Sequence, residues 1–229
     1  MSKLYFRYGA MNSGKSTALL QAAFNYEERG QEVLLAKPQI DTKGDSDIVS
    51  RLGVTRPVDF TIAPQDDVYE LVARHRARVL AETGKPVSCL LVDEAQFLTE
   101  AQVDDLLRIA IVEGLPVLAY GIRTDFQTVA FPGSRRLLEI AHSLEELKTI
   151  CRCGRKAVFN ARKVGERFIF DGDQVAIDAS SDLSAGGDLV TYESLCGACY
   201  LEESGGVLNS GYRPRNEFSY SSAPDSDFS

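Results

Sequence analysis

Apolar positions in the first part of the chain alternate between short continuous runs and helix-like spacing. The runs predict four buried strands, at residues 3–8, 32–36, 87–93 and 116–120. Apolar residues three or four positions apart predict three helices, at residues 15–29, 66–82 and 100–113. Strands joined through helices pair in parallel and have both faces covered, so this pattern predicts a doubly wound α/β domain that ends near residue 147.

Three later segments depart from the alternating pattern. Residues 41–64 have little periodicity and several Gly, Asp, Ser and Pro residues, which predicts a long loop. Residues 151–200 contain four of the five cysteines and alternating apolar positions, which predict short antiparallel strands. From residue 211 onward the composition is typical of a disordered tail. The predicted organisation is an α/β domain at 1–147, a small β module at 148–210 and a disordered tail at 211–229.

Composition and charge limit the classes of partner. The 229 residues are 44% hydrophobic and 25% charged, as is typical of a globular protein. No stretch approaches ~18 consecutive apolar residues and the N-terminus lacks a signal-peptide pattern, so we expect a cytoplasmic protein without a membrane span. The net charge is -8, and such a field repels phosphate backbones. Small molecules or further copies of the chain are therefore the expected partners, rather than nucleic acid.

A complete phosphate-binding motif, G-x-x-x-x-G-K-S, follows the first predicted strand and begins the first predicted helix. Phosphate oxygens need several converging donors, which the backbone N–H groups of such a loop and the helix N-terminus provide. The lysine of the motif would reach the β- and γ-phosphates, and the last hydroxyl would bind Mg²⁺. The predicted loop consists of Gly9, Ala10, Met11, Asn12, Ser13, Gly14, Lys15 and Ser16.

Two adjacent carboxylates, Asp93 and Glu94, come directly after the apolar strand at 87–93. In phosphate-loop enzymes the Asp at this point helps to hold Mg²⁺ opposite the loop hydroxyl, here Ser16. Glu94 is placed to activate a nucleophile, either water or a substrate hydroxyl. These motifs predict ATP chemistry with Mg²⁺ but leave the acceptor open.

Four cysteines form a C-x-C pair and a C-x-x-C pair, with 42 residues between the pairs: Cys151, Cys153, Cys196 and Cys199. Two close pairs of thiols suit tetrahedral Zn²⁺, and four protein ligands leave no open position, so the predicted site is structural. The fifth cysteine, Cys89, lies in an apolar strand and is interpreted as a core residue. His75 is interpreted as a helix-face residue, because no second histidine lies at metal-binding spacing.

The motifs together resemble the zinc-containing, tetrameric type of thymidine kinase, in its bacterial branch. The resemblance rests on the segments GAMNSGKSTALLQ, LLVDEAQFL, AYGIRTDF, LKTICRCGRKA and TYESLCGACY, and it covers most of residues 3–200. It implies transfer of the γ-phosphate of ATP to the 5′-hydroxyl of thymidine, in the salvage of pyrimidine deoxynucleotides, and it implies a homotetramer. Glu94 corresponds to the catalytic base of the family. The resemblance also implies an ATP-binding segment formed by Asp93, Glu94, Ala95 and Gln96.

The same resemblance implies a nucleoside site covered by a lasso between the two cysteine pairs. Phe97 would pack on the thymine ring, and Met11 also matches a position near the pocket. The chain departs from the family at Lys43, where Arg is frequent, and in a lasso turn that is longer than the usual V-I-G-G turn. The implied nucleoside-binding residues are Asp41, Phe97, Ile122, Phe126, Phe131, Asn160 and Tyr192.

Two alternatives to a nucleoside kinase remain open from the residues. An ATP-hydrolysing switch or motor would use Asp93 and Glu94 to activate water, and its zinc module would grip a macromolecule. Hydrolysis of ATP without a nucleoside, stimulated by DNA or RNA, would favour it, whereas the acidic balance and lack of a basic stripe count against it. An inactive homologue would retain only the fold, which the intact Lys15, Ser16, Asp93 and Glu94 disfavour.

Overall fold

Six parallel strands form the central sheet of the computed structural model, which describes residues 2–39, 47–51, 53–172, 190–206 and 208. Thirteen strands are present in the described residues: β1 (Leu4–Tyr8), β2 (Glu32–Pro38), β3 (Asp47–Val49), β4 (Thr55–Pro57), β5 (Phe60–Ile62), β6 (Val87–Val92), β7 (Val117–Gly121), β8 (Ser143–Glu146), β9 (Thr149–Ile150), β10 (Lys156–Ala157), β11 (Phe159–Val164), β12 (Arg167–Ile169) and β13 (Val190–Leu195). The sheet has the order β5-β2-β6-β7-β1-β8, and all of its pairings are parallel. This arrangement confirms the predicted α/β fold class.

Five α-helices accompany these strands in the described residues: α1 (Lys15–Glu27), α2 (Val68–Thr83), α3 (Glu100–Val112), α4 (Pro132–Ile140) and α5 (Gly197–Glu203). Successive residues of a strand point to opposite faces, so each buried strand contributes to two cores. In β2, Leu34 belongs to the core that contains α2, α3 and α4, whereas Leu35 belongs to the core that contains α1. Helices therefore cover both faces of the sheet, as a doubly wound fold requires.

The helix ends follow from local chemistry. The Asp67 side chain accepts a hydrogen bond from the backbone N–H of Glu70 at the start of α2. Thr99 and Gln102 form a reciprocal capping box at the start of α3. Gly84 has φ 71°, a left-handed conformation that ends α2. These signals are consistent with the ends of α2 and α3, and all three predicted helices agree with the structure to within two residues at each end.

The prediction of one long loop at 41–64 is wrong for the part of that segment that the structure describes. The strands β3 and β4 form an antiparallel hairpin there, and β5 joins the edge of the central sheet beside β2. Each of these strands has only three residues, so none produces a readable apolar alternation. The helix α4 and the strand β8 were also absent from the predicted elements.

The cysteine-rich region contains short antiparallel strands, as its alternating pattern predicted, and also the helix α5, which that pattern did not predict. The strand β9 pairs with β10, and β11 lies between β12 and β13. A small separate core contains Ala161, Leu195 and Tyr200 together with two of the cysteines. The last strand of the central sheet ends at Glu146 and β9 begins at Thr149. The division into domains at 147 and 210 stays a prediction, and the tail at 211–229 lies outside the described residues.

Among the described residues, every helix is too short or too polar to cross a lipid bilayer.

Gly133, in the first turn of α4, provides a test of how tightly this helix packs against the segment after β6. A Cβ atom at Gly133 would lie 2.5 Å from the carbonyl oxygen of Ala95, 2.7 Å from that of Leu98 and 2.9 Å from that of Gln96. Backbone atoms cannot move aside as a flexible side chain can. We therefore expect Gly133→Ala to lower the free energy of unfolding by about 1–3 kcal/mol, which exceeds the roughly 0.5–1 kcal/mol gained in helix propensity.

Urea unfolding followed by circular dichroism would measure this change. The matched control is Gly197→Ala in α5, where the added Cβ would have its nearest neighbour at an ordinary 3.5 Å. If Gly133→Ala and Gly197→Ala had equal free energies of unfolding, the close backbone contacts at position 133 would not disfavour a side chain there.

Candidate nucleotide and metal sites

The loop between β1 and α1 has the conformation of a phosphate cradle. Asn12 and Gly14 both adopt left-handed backbone angles, with φ of 67° and 77°. The N–H of Gly9 donates to the carbonyl of Gly121 at 3.3 Å, which ties the beginning of the loop to the end of β7. The first N–H groups of α1, beginning at Lys15, have no partner one turn earlier in the helix and are available to an anion.

Lys15 lies within this loop and is 9% exposed. Its ammonium group donates to the carbonyl of Ala10 at 2.9 Å and to the hydroxyl of Ser13 at 3.5 Å. Burial lowers the pKa of Lys15, while the nearby carboxylates of Glu94 and Asp93 oppose that shift. A buried cation in the loop that leads into the N-terminus of α1 fits the phosphate groups of a nucleotide.

Ser16 and Asp93 meet across the space between α1 and β6. The Ser16 hydroxyl donates to Oδ2 of Asp93 at 3.0 Å, and the N–H of Asp93 donates to the carbonyl of Ala36 at 2.9 Å. Burial, together with the adjacent charge of Glu94, raises the pKa of Asp93 to about 6. A hydroxyl and a carboxylate are the hard oxygen ligands that Mg²⁺ prefers, so this pair fits the predicted magnesium position.

Glu94 follows in a strained left-handed conformation, with φ 50° and ψ 35°. Its N–H donates to Oδ1 of Asp93 at 3.0 Å. The side-chain amide of Gln96 donates to the Glu94 carboxylate, and its Oε1 accepts the N–H of Ile122 at 3.1 Å. A short 3₁₀ turn, Ala95–Phe97, holds these residues at the carboxyl end of the sheet. The predicted ATP-binding segment therefore lies beside the phosphate loop.

Aromatic residues extend from this turn toward the loop after β7. Phe97 packs edge-on against Phe131, with ring centroids 5.4 Å apart. Ile122 and Phe126 are buried in the same region, and the guanidinium carbon of Arg162 lies 3.9 Å from the centre of the Phe126 ring. Phe126 is thus covered on one face by a cation, whereas the partly exposed Phe97 has the more accessible ring.

The small β module contacts the phosphate loop at Met11. Asn160 on β11 accepts the N–H of Met11 at 2.7 Å and donates to the carbonyl of Thr124 at 2.9 Å. Ser194 on β13 is the cross-strand partner of Asn160, and its hydroxyl donates to the Met11 carbonyl. Both backbone polar groups of Met11 are therefore held by one pair of residues from the module.

The structure describes six of the seven predicted nucleoside-binding residues: Phe97, Ile122, Phe126, Phe131, Asn160 and Tyr192. Asn160 contacts the loop itself, and Phe97 and Phe131 contact each other. Tyr192 lies on β13, opposite Arg162 on β11. Asp41 lies outside the described residues, and so does Lys43. Direct contacts to a nucleoside stay predictions for all of these positions.

The four cysteines predicted to bind zinc come together at one end of the module. Their Sγ atoms all lie within 4.8 Å of one another, so all four can reach a single ion. A hydrogen bond from the Cys199 backbone N–H lowers the pKa of Cys196 to about 6, whereas hydrogen bonds with the Cys153 and Cys196 side chains raise the pKa of Cys199 to about 12. A bound metal would favour the thiolate form of all four. The donor set and spacing fit a closed Zn²⁺ site. Cys89 lies instead in the α1-side core, where burial raises its pKa to about 12.

Four residues of the site were not singled out from the sequence, although three of them lie in the segments that resemble the family: Thr124, Arg162, Ser194 and Tyr200. Arg162 and Ser194 lie in short alternating strands in which polar residues are expected to face solvent, yet both are buried. The Tyr200 hydroxyl donates to the carbonyl of Phe126 at 2.7 Å and thereby fixes α5 against the loop after β7. Each of these contacts joins residues that are far apart in the chain, so local patterns could not reveal them.

Comparison with known proteins gives a consistent result. The family model described as thymidine kinase matches residues 2–200. A thymidine kinase of Ruegeria pomeroyi is 44% identical over 207 residues, which is 90% of this chain and 96% of that protein. Thymidine kinases of Idiomarina loihiensis and Rhodopirellula baltica are 50% and 49% identical over 181 residues, which is 77% of this chain and 89% and 82% of those proteins, respectively. The chain therefore belongs to the thymidine kinase family, as its motifs indicated.

Proposed function

We propose that this kinase transfers the γ-phosphate of ATP to the 5′-hydroxyl of thymidine, with Glu94 as the general base. The observation that carries this proposal is the position of Glu94, directly after the Asp93–Ser16 pair and near Lys15. A base at this point lies next to the predicted position of the γ-phosphate. Many classes of nucleotide enzyme share this phosphate-site geometry, so the geometry alone does not identify the acceptor. The proposal that thymidine is the acceptor rests on membership of the thymidine kinase family.

The phosphate loop and its lysine hold ATP in this mechanism. The N–H groups at the start of α1 and the ammonium of Lys15 bind the phosphates and stabilise the charge on the phosphoryl group during transfer. Mg²⁺ held by Ser16 and Asp93 would neutralise phosphate charge. Glu94 accepts the proton of the 5′-hydroxyl and thereby orients the attacking oxygen in line with the leaving group.

The nucleoside occupies the side of the site that is lined by aromatic residues and by the β module. Phe97 packs on the thymine ring, and the segment between the cysteine pairs closes over the base, which excludes water and suppresses hydrolysis of ATP. Asn160, Tyr192 and Asp41 belong to this proposed pocket. The four cysteines would hold a structural Zn²⁺, which would stabilise the module at its base.

We also propose the cellular location, the assembly and the domain organisation of the enzyme. The enzyme acts in the cytoplasm on small-molecule partners, and it assembles as a homotetramer. Its chain is divided into a nucleotide-binding domain at 1–147 and a zinc module at 148–210.

A mixture of the natural nucleosides in equal amounts, incubated with the protein and Mg–ATP, tests the acceptor. We expect selective formation of thymidine monophosphate, detected by mass spectrometry, because the aromatic pocket and the module enclose the base. Consumption of ATP without phosphorylation of any nucleoside would leave the phosphate site intact but contradict the proposed acceptor.

Replacing Glu94 by Gln tests the proposed base, because the amide keeps the shape of the side chain but cannot accept the proton. We expect Glu94→Gln to lower kcat by ~10²-fold or more, with the dissociation constant of Mg–ATP nearly unchanged. The control is Glu100→Gln, which alters an exposed carboxylate at the start of α3. A Glu94→Gln enzyme with near-normal turnover would exclude Glu94 as the base.

Removal of zinc tests the link between the module and the phosphate loop. We expect Cys199→Ser to lose its bound zinc, to melt at a lower temperature, and to bind ATP roughly 3- to 10-fold more weakly, since Asn160 and Ser194 would no longer hold Met11 in place. Zinc content is measured by atomic emission and ATP affinity by calorimetry.

Cys89→Ala is the control for that experiment, because it removes a thiol from the core outside the cluster. It should retain its zinc and its affinity for ATP. Unchanged ATP binding by a zinc-free Cys199→Ser protein would show that the module does not support the phosphate loop.

A further inference from the structure

Gln96 has an unusual position for a polar side chain. It is 1% exposed and lies in the 3₁₀ turn directly after Glu94. Both ends of its amide are used within the protein: Oε1 accepts the N–H of Ile122 at 3.1 Å, and Nε2 donates to Oε2 of Glu94. Gln96 therefore forms a bridge from the end of β7 to the carboxylate of Glu94.

The orientation of this amide follows from its partners. A backbone N–H can only donate, so the atom that faces Ile122 must be the carbonyl oxygen of the amide. The NH₂ group then necessarily faces Glu94. Because an NH₂ group is a donor only, it interacts favourably with the ionised carboxylate, which is the form that can accept a proton.

Close packing fixes the bridge in place. A Cβ atom on Gly121 would lie only 2.7 Å from Oε1 of Gln96, so the glycine leaves the space that the amide occupies. On the other side of the turn, Gly133 allows the carbonyls of residues 95, 96 and 98 to approach α4. The side-chain amide of Gln96 is thus packed against the end of β7, and the backbone of its turn is packed against α4.

We propose that Gln96 is the positioning residue for Glu94: its Nε2 holds one carboxylate oxygen, so that the other oxygen faces the hydroxyl of the acceptor. This inference rests on the proposed function, since it takes Glu94 as the base. It assigns Gln96 to the orientation of the base, because this buried amide already bonds to Glu94 at one end and to Ile122 at the other.

Two substitutions separate the two hydrogen bonds of Gln96. Gln96→Glu keeps an oxygen that accepts the N–H of Ile122 but replaces the donor to Glu94 by a second carboxylate. Gln96→Met has a similar length and removes both bonds. If orientation of Glu94 is the role of Gln96, both variants should lose about 10- to 100-fold in kcat, while the dissociation constant of Mg–ATP changes less than about twofold.

A role in folding alone predicts a different result. The bond to Ile122 would then be the important one, and Gln96→Glu would retain normal kcat whereas Gln96→Met would not. A third result, in which the affinity for Mg–ATP falls about tenfold with kcat preserved, would show a direct contact with ATP. Either of these two results would overturn the proposal.

Gly121→Ala provides a variant that keeps the amide but displaces it, since the added Cβ would lie against Oε1. It should lower kcat in the same way as Gln96→Glu, which keeps the test valid if a substitution at Gln96 prevents folding. Normal kcat in a folded Gly121→Ala enzyme would contradict the proposal.

A double-mutant cycle with Glu94→Gln distinguishes failure of this inference from failure of the proposed function. If Gln96 acts through Glu94, then Gln96→Met should cost less than about threefold in the Glu94→Gln background, because the base is already absent. An equal loss in both backgrounds would overturn the positioning role. Full activity of Glu94→Gln alone would instead contradict the proposed base.

Discussion

The hydrogen bonds between the β module and Met11 are the interactions on which the arrangement of this enzyme depends. Asn160 and Ser194 lie opposite each other on β11 and β13, and they bind the N–H and the carbonyl of the same residue in the phosphate loop. A loop of this kind has little regular backbone pairing, so side chains from other elements can satisfy its backbone polar groups. The order of the phosphate site thus depends on a module that begins only after the last strand of the central sheet.

This dependence gives the cysteine cluster a role beyond local stability. The module is too small to have a large core, and a closed metal site can supply the stability that so few apolar residues cannot. Its contacts also reach the loop after β7: Tyr200 binds the carbonyl of Phe126, and Arg162 lies over the ring of Phe126. The β module is therefore joined to the phosphate loop by hydrogen bonds, and to the loop after β7 by a hydrogen bond and a cation–aromatic contact.

The sequence predicted those parts of the fold and site that depend on neighbouring residues. The phosphate loop, the Asp93–Glu94 pair and the capped helices α2 and α3 all have signals within a few positions of each other. The helix α4 has nine residues and begins with Pro, Gly and Ser, so its periodicity is brief, and β8 is a half-exposed edge strand with the sequence Ser-Leu-Glu-Glu. Contacts such as Asn160 with Thr124 or Arg162 with Phe126 join distant segments, and only the folded chain brings them together.

The backbone at Glu94 shows how one local constraint separates two neighbouring carboxylates. A left-handed conformation costs a residue with a side chain roughly 1–2 kcal/mol, and it persists only where the surroundings hold it. Here the N–H of Glu94 binds Asp93 and the carbonyl of Glu94 accepts the N–H of Phe97 at 3.1 Å. The abrupt turn leaves Asp93 facing Ser16 and directs Glu94 to Gln96. Two adjacent acids that would otherwise compete for one partner therefore have different partners, Ser16 for Asp93 and Gln96 for Glu94, which allows the separate tasks proposed for them.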